Sequence, residues 1–109
     1  MSIAYAWEKF NAAVSALSSI DASLRERLIS VVTNDITYVQ PERDLPDELR
    51  LRFKNIVKQA TNQVNIHDSI SCMDSRQLST LANDIVSLYD AIVIEHTKRD
   101  HDTLLDYNR

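Results

Sequence analysis

The sequence predicts an all-α fold: a four-helix, mainly antiparallel bundle with a short polar C-terminal tail. Three observations carry that expectation. Apolar residues recur at spacings of three and four along four separate stretches, which is the period of an amphipathic helix. No stretch alternates apolar and polar residues between turn signals, as a half-buried strand would. The 109 residues contain no glycine, where average usage predicts roughly eight, so the tight hairpins that join strands lack their usual material. Connections of roughly three to nine residues between four helices favour antiparallel neighbours.

The first helix is expected over about 2–18, where Ile3, Trp7, Phe10, Val14 and Leu17 fall on one stripe. The second is expected over 23–39 through Leu24, Leu28, Val32, Ile36 and Val39. Ser23 and Glu26 have the spacing of a capping box, each side chain reaching an otherwise unpaired amide, with Asp21 as the rival cap. Both prolines lie in Gln40–Pro46, and neither suits a helix interior, so this is the clear break.

Pro46 opens a third helix over 46–63, with Asp47 and Glu48 at the positive end of its dipole. Its expected buried face is Leu49, Phe53, Ile56, Val57, Ala60 and Val64. Without glycine, Asn62 or Asn65 is the residue best suited to a left-handed helix end. Residues 65–73 are polar and weakly periodic, which predicts the longest connection. Asp74 and Gln77 form a second capping box, and Met73 and Leu78 can staple across it. The fourth helix, over 74–99, carries the most regular stripe, Leu78, Leu81, Ala82, Ile85, Leu88, Tyr89 and Ile92. It is expected to be central, with residues 101–109 as a tail that frays or docks through Leu104, Leu105 and Tyr107.

The length suits one domain spanning 1–109, and 44% hydrophobic with 26% charged residues place the chain with globular rather than disordered proteins. A net charge of −4 weighs against nucleic acid and against anionic membrane, both of which need a positive field. Cys72 is the single cysteine, which excludes an internal disulfide and a multi-cysteine zinc site. The N-terminus lacks signal-peptide character, and no apolar run nears the ~18 residues of a membrane span. Together these predict a cytoplasmic protein. The absence of glycine also argues against phosphate-cradling loops, and nothing in the sequence implies a cofactor.

Four groups of residues are candidates for chemistry. Glu95–Asp102 is the densest polar cluster, where His96 and Asp100, and Glu95 and Arg99, pair at helical spacing. It lacks the further ligands a divalent metal requires and is expected to be a solvated helix end. His67-Asp68-Ser69 has triad residue types, but neighbours in sequence do not assemble triad geometry. Cys72 is expected to be an inert thiol. Arg50, Lys54 and Lys58 form a basic stripe that can follow a phosphate backbone, but residues 42–58 hold five basic and four acidic side chains and no interleaved aromatic stack. The aromatic residues Tyr5, Trp7, Phe10, Tyr38, Phe53, Tyr89 and Tyr107 are expected at the core or its edge.

Ser23-Leu-Arg-Glu-Arg-Leu28, then Asp44-Leu-Pro-Asp-Glu-Leu-Arg50 with Phe53 and Ile56, then Ile85-Val-Ser-Leu-Tyr89 resemble a pattern in small uncharacterised bacterial helical proteins. That resemblance implies a helical fold and a bacterial or phage-related origin, and transfers no catalytic residue.

The functional expectation is a non-catalytic protein-binding module of immunity, antitoxin or accessory-subunit type. Its partner or homodimer surface is expected at Val86, Val93 and Ile94, where the apolar stripe is wider than one seam requires. The alternative is a nucleic-acid-associated regulator acting through Arg50, Lys54 and Lys58.

Overall fold

The computed structural model describes the backbone of residues 2–107 and the side chains of residues 2–99. The described chain is all-helical, with six α-helices rather than four: α1 (Ile3–Ser19), α2 (Leu24–Asn34), α3 (Pro41–Asp44), α4 (Asp47–Ala60), α5 (Ile66–Ser71) and α6 (Ser75–Tyr107). A single 3-10 turn, Ile36–Tyr38, follows α2.

The stripe of α6 lies at the centre. Leu78, Leu81, Ile85, Leu88 and Ile92 are all buried, together with Ile3, Phe10 and Leu17 of α1, Leu28 and Val32 of α2, and Leu49, Phe53 and Ile56 of α4. Ala6 and Ala13 of α1 are also fully buried. Phe10 and Phe53 meet with ring centroids 6.2 Å apart and an interplanar angle of 59°, a tilted arrangement that aromatic quadrupoles favour. Cross-helix contacts run in opposite chain order. Trp7 stacks on His96 at 5.6 Å and the Tyr89 hydroxyl donates to Asn11 Oδ1 at 3.0 Å. On the other flank of α6, Arg52 donates to Ser87 at 2.8 Å and Gln59 to Asp84 at 2.9 Å.

Each proline starts a helix and straightens the residue before it. Pro41 occupies the first turn of α3, and Pro46 precedes the first turn of α4 in an extended conformation. Gln40 and Leu45 are extended, as the clash between a proline ring and the preceding residue requires. The break expected at 40–46 therefore contains one turn of helix, and the third expected helix begins at Asp47 rather than at Pro46. The helix expected over 23–39 divides at Asp35, where φ is −126° and ψ −57°, so Ile36 and Val39 reach the core from the short turn that follows.

Residues 65–73, expected as a connection, contain α5. Asn65 caps it, its side chain accepting the Asp68 amide at 2.8 Å. α4 ends at Ala60, where the Thr61 hydroxyl returns to the Val57 carbonyl at 2.7 Å. Val64 consequently leaves the core and is 92% exposed. No described residue has positive φ, so neither Asn62 nor Asn65 makes a left-handed helix end. The expected cap of the last helix is present in both directions: Asp74 accepts the Gln77 amide at 2.8 Å while Gln77 accepts the Asp74 amide at 2.9 Å. Ser23 accepts the Glu26 amide at 3.1 Å.

The polar tail expected after residue 99 is a continuation of α6 to Tyr107. At about 1.5 Å per residue its 33 residues extend ~50 Å, which accounts for the longest molecular dimension, 54 Å. The side chains of Leu104, Leu105 and Tyr107, expected to dock, lie outside the described residues.

Candidate functional site

The outer surface of α6 is set by its own periodicity. With Ile85, Leu88 and Ile92 turned fully inward, the residues one position later must lie toward the rim, because successive residues are separated by about 100°. Val86 is 39% exposed and Ile94 67% exposed, while Val93 is partly buried. Val86 and Val93, seven residues apart, share the edge beside α1, where Tyr89 is tied to Asn11. Ile94 is turned further toward solvent. Between Val86 and Ile94, at a spacing of four on each side, stands the exposed Asp90. The three predicted residues thus surround a carboxylate that attention to apolar residues alone overlooked. The Val86-Asp90-Ile94 spacing is itself visible in the sequence.

The basic stripe does not survive as a continuous charged surface. Arg50 folds back over α3, its Nε donating to the Pro41 carbonyl at 3.0 Å and the Leu45 carbonyl at 2.9 Å, and its Nη2 to the Glu42 carbonyl at 3.2 Å. It also pairs with Asp47. Lys54 pairs with Glu42 at 2.8 Å, and that hydrogen bond holds the Glu42 carboxyl below its ordinary pKa. Lys58 alone of the three has no side-chain partner among the described residues. Arg43, in the adjoining α3, makes a bidentate contact with the buried Asp44, Nε to Oδ1 and Nη2 to Oδ2, both at 2.9 Å.

Asp44 also accepts the Gln40 amide at 2.9 Å and the Ser2 amide at 3.2 Å. Burial raises its pKa, but the hydrogen bonds it accepts, that of the Arg43 guanidinium foremost, together with nearby positive charge outweigh burial and hold it well below the usual carboxylate range. This carboxylate joins the start of α1 to the end of α3 and is structural in its surroundings.

The remaining candidates are placed apart. Ser69 is buried, its hydroxyl donating to the Asn65 carbonyl at 2.7 Å and accepting the Gln63 amide at 2.8 Å. His67 and Asp68 are exposed, 3.6 Å from each other. The three side chains do not converge as a nucleophile, base and orienting group. His96 lies against Trp7, and Glu95 pairs with Arg99 at 3.2 Å as its spacing predicts. The Asp100 side chain, the expected neighbour of His96, lies outside the described residues. Among the described residues no three His, Cys, Asp or Glu side chains gather as metal ligands, and no helix is long and apolar enough to cross a membrane.

Tyr38, expected at the core edge, is 56% exposed and is covered on one face by the Lys9 ammonium, 5.0 Å from its ring centroid. Cys72 is exposed. It borders a cleft of about 650 Å³ between the end of α4, α5 and the start of α6, which Lys58 also lines. Compared with known protein families, curated proteins and solved structures, the chain matches none of them.

Proposed function

We propose that the protein is a non-catalytic protein-binding module of immunity, antitoxin or accessory-subunit type, built as a helical bundle around α6. Its binding surface is the outer face of the middle of α6, around Asp90. The observation that carries this reading is the exposure of Val86 and Ile94 on either side of Asp90, with Val93 alongside. Buried in an interface, the two apolar side chains would release water from their surfaces, while the intervening carboxylate selects a partner that places a basic side chain between two apolar ones. The formal charge of −4 favours the same kind of partner during encounter. A second copy of the chain is the simplest candidate, provided that Asp90 meets a lysine or arginine across the contact.

The nucleic-acid reading through Arg50, Lys54 and Lys58 has less support, because two of its three cations already have carboxylate partners. The test is light scattering of the purified chain up to high micromolar concentration, together with quantitative affinity capture from native cells, each repeated with Ile94→Glu. A dimer or a stoichiometric partner that disappears with Ile94→Glu, while the circular dichroism melt is unchanged, supports the reading. A monomer with no partner, or association indifferent to Ile94→Glu, overturns it.

A further inference from the structure

The cavity between α4, α5 and α6 is lined by two basic side chains, Lys58 and Arg76, and by no acidic one, in a chain with four more acidic than basic residues. Among the described basic residues, most have partners: Arg25, Arg27 and Arg50 bind backbone carbonyls, Arg43, Lys54 and Arg99 pair with carboxylates, Arg52 meets Ser87 and Lys9 covers Tyr38. Lys58, Arg76 and Lys98 are the exceptions, and two of those three border the same cleft.

The neutral polar lining divides in the same way. Ser69 and Gln77 are engaged in the local caps that fix the walls, and Gln59 donates to Asp84. Asn55, Asn62, Gln63 and Thr80 border the cleft, and their side chains make no hydrogen bond within the described protein. Three carboxamides and a hydroxyl thus accompany the two cations. The volume of about 650 Å³ lies within the usual range for small-molecule sites, and nine of the eleven lining residues carry polar side chains.

We infer that this cleft binds a small polyanion, a phosphate or carboxylate compound whose charge meets Lys58 and Arg76 and whose other oxygens meet the carboxamides. Arg76 offers a planar fork and Lys58 a compact ammonium, a combination suited to an anion with more than one oxygen acceptor. Nothing in this assignment depends on the α6 surface around Asp90, which lies farther along the helix.

Pyrophosphate, glucose 6-phosphate and citrate, each titrated calorimetrically into the full chain at constant ionic strength, test the assignment. Cys72 supplies a second readout, because it borders the cleft and its alkylation by N-ethylmaleimide should slow when the cleft is filled. Saturable binding of at least one compound is expected, with Lys58→Ala and Arg76→Ala each weakening it by about tenfold or more, the effect of losing one charge-assisted hydrogen bond. Lys98→Ala, which removes the same charge elsewhere, should leave it unchanged. Binding of the phosphates without citrate assigns the cleft to phosphates, and the reverse assigns it to carboxylates. Absence of saturable binding by all three compounds, or binding that Lys58→Ala and Arg76→Ala leave intact, overturns the inference.

Discussion

Replacing Asp44 by asparagine tests whether the buried carboxylate holds the start of α1 and the end of α3 together. Oδ1 accepts from the Ser2 amide and Arg43 Nε, and Oδ2 from the Gln40 amide and Arg43 Nη2. An asparagine supplies one acceptor and one donor in the same volume, so either orientation sets its NH₂ against two of these four donors. The arginine is partly exposed and can turn to water, whereas a backbone amide cannot follow it. One amide left without its acceptor, together with weaker bonds at the retained oxygen, costs about 2–3 kcal/mol. For a domain of this size that lowers the melting temperature by about 10 °C.

The effect has a pH signature. The folded pKa of Asp44 lies below the ordinary value, near 3.9 in an unfolded chain, so its contribution is complete above that value and declines as pH falls toward the folded pKa. Urea unfolding, followed by Trp7 fluorescence and far-UV circular dichroism, should show a gap between wild type and Asp44→Asn at neutral pH that narrows below about pH 4. A neutral-pH gap under about 0.5 kcal/mol, or one that stays constant into acid, refutes the reasoning.

Three further substitutions probe the elements that place the proposed surfaces. Asp74→Ala breaks the reciprocal cap at the start of α6 and should cost about 1 kcal/mol in chemical denaturation; an unchanged midpoint would show that the cap is redundant. Leu88→Ala empties a fully buried site at the centre of the core and should cost about 2–5 kcal/mol, with a loss under about 1 kcal/mol contradicting a closely packed centre. Arg50→Lys retains the charge but loses the fork that spans the α3 carbonyls, so a loss of about 1–2 kcal/mol is expected. A lysine variant as stable as wild type would reduce Arg50 to a surface charge, and the basic stripe would regain its leading residue.

The long helices were legible because they obey one period over many turns. All five large aliphatic residues of the α6 stripe, Leu78 through Ile92, are buried as that period requires. The period fails where a short polar contact intervenes. Val64 continues the stripe of α4 on paper, but the chain leaves the helix at Thr61 and the valine passes to solvent. α3 and α5 are too short for periodicity to detect, although each had a local signal: Pro41 followed by Glu42 in one, and Asn65 three residues before Asp68 in the other. Trp7 stacked on His96 and the Asp44 cluster join residues far apart in sequence, where spacing carries no information. The site candidates were harder still. Arg50, Lys54 and Lys58 do share a helix face, but what determines their availability is the position of α3, and α3 was not expected.

The missing glycine links fold to surface. A helix that cannot end in a left-handed residue still has carbonyls to satisfy, and in this chain arginines reach them from neighbouring segments. Arg27 donates to the Leu17 carbonyl in the last turn of α1, Arg50 to three carbonyls in and just beyond α3, and Arg25 to the Met73 carbonyl just beyond α5 at 2.6 Å. Arginine suits this role because its stem packs along the helix while its fork spans more than one acceptor. Each arginine so engaged is withdrawn from the surface field, so the number of basic residues overstates the charge available to a partner. Of the three described cations without a partner, Lys58 and Arg76 border the cleft near the start of α6, while Val86, Asp90 and Ile94 form an acidic and apolar face farther along. Arg76 and Ile94 are separated by about 27 Å along the helix axis at 1.5 Å per residue, beyond the ~8–10 Å over which salt screens exposed charges. Charge changes at one site should therefore leave the other intact, and a variant that impairs both would indicate a change in α6 itself.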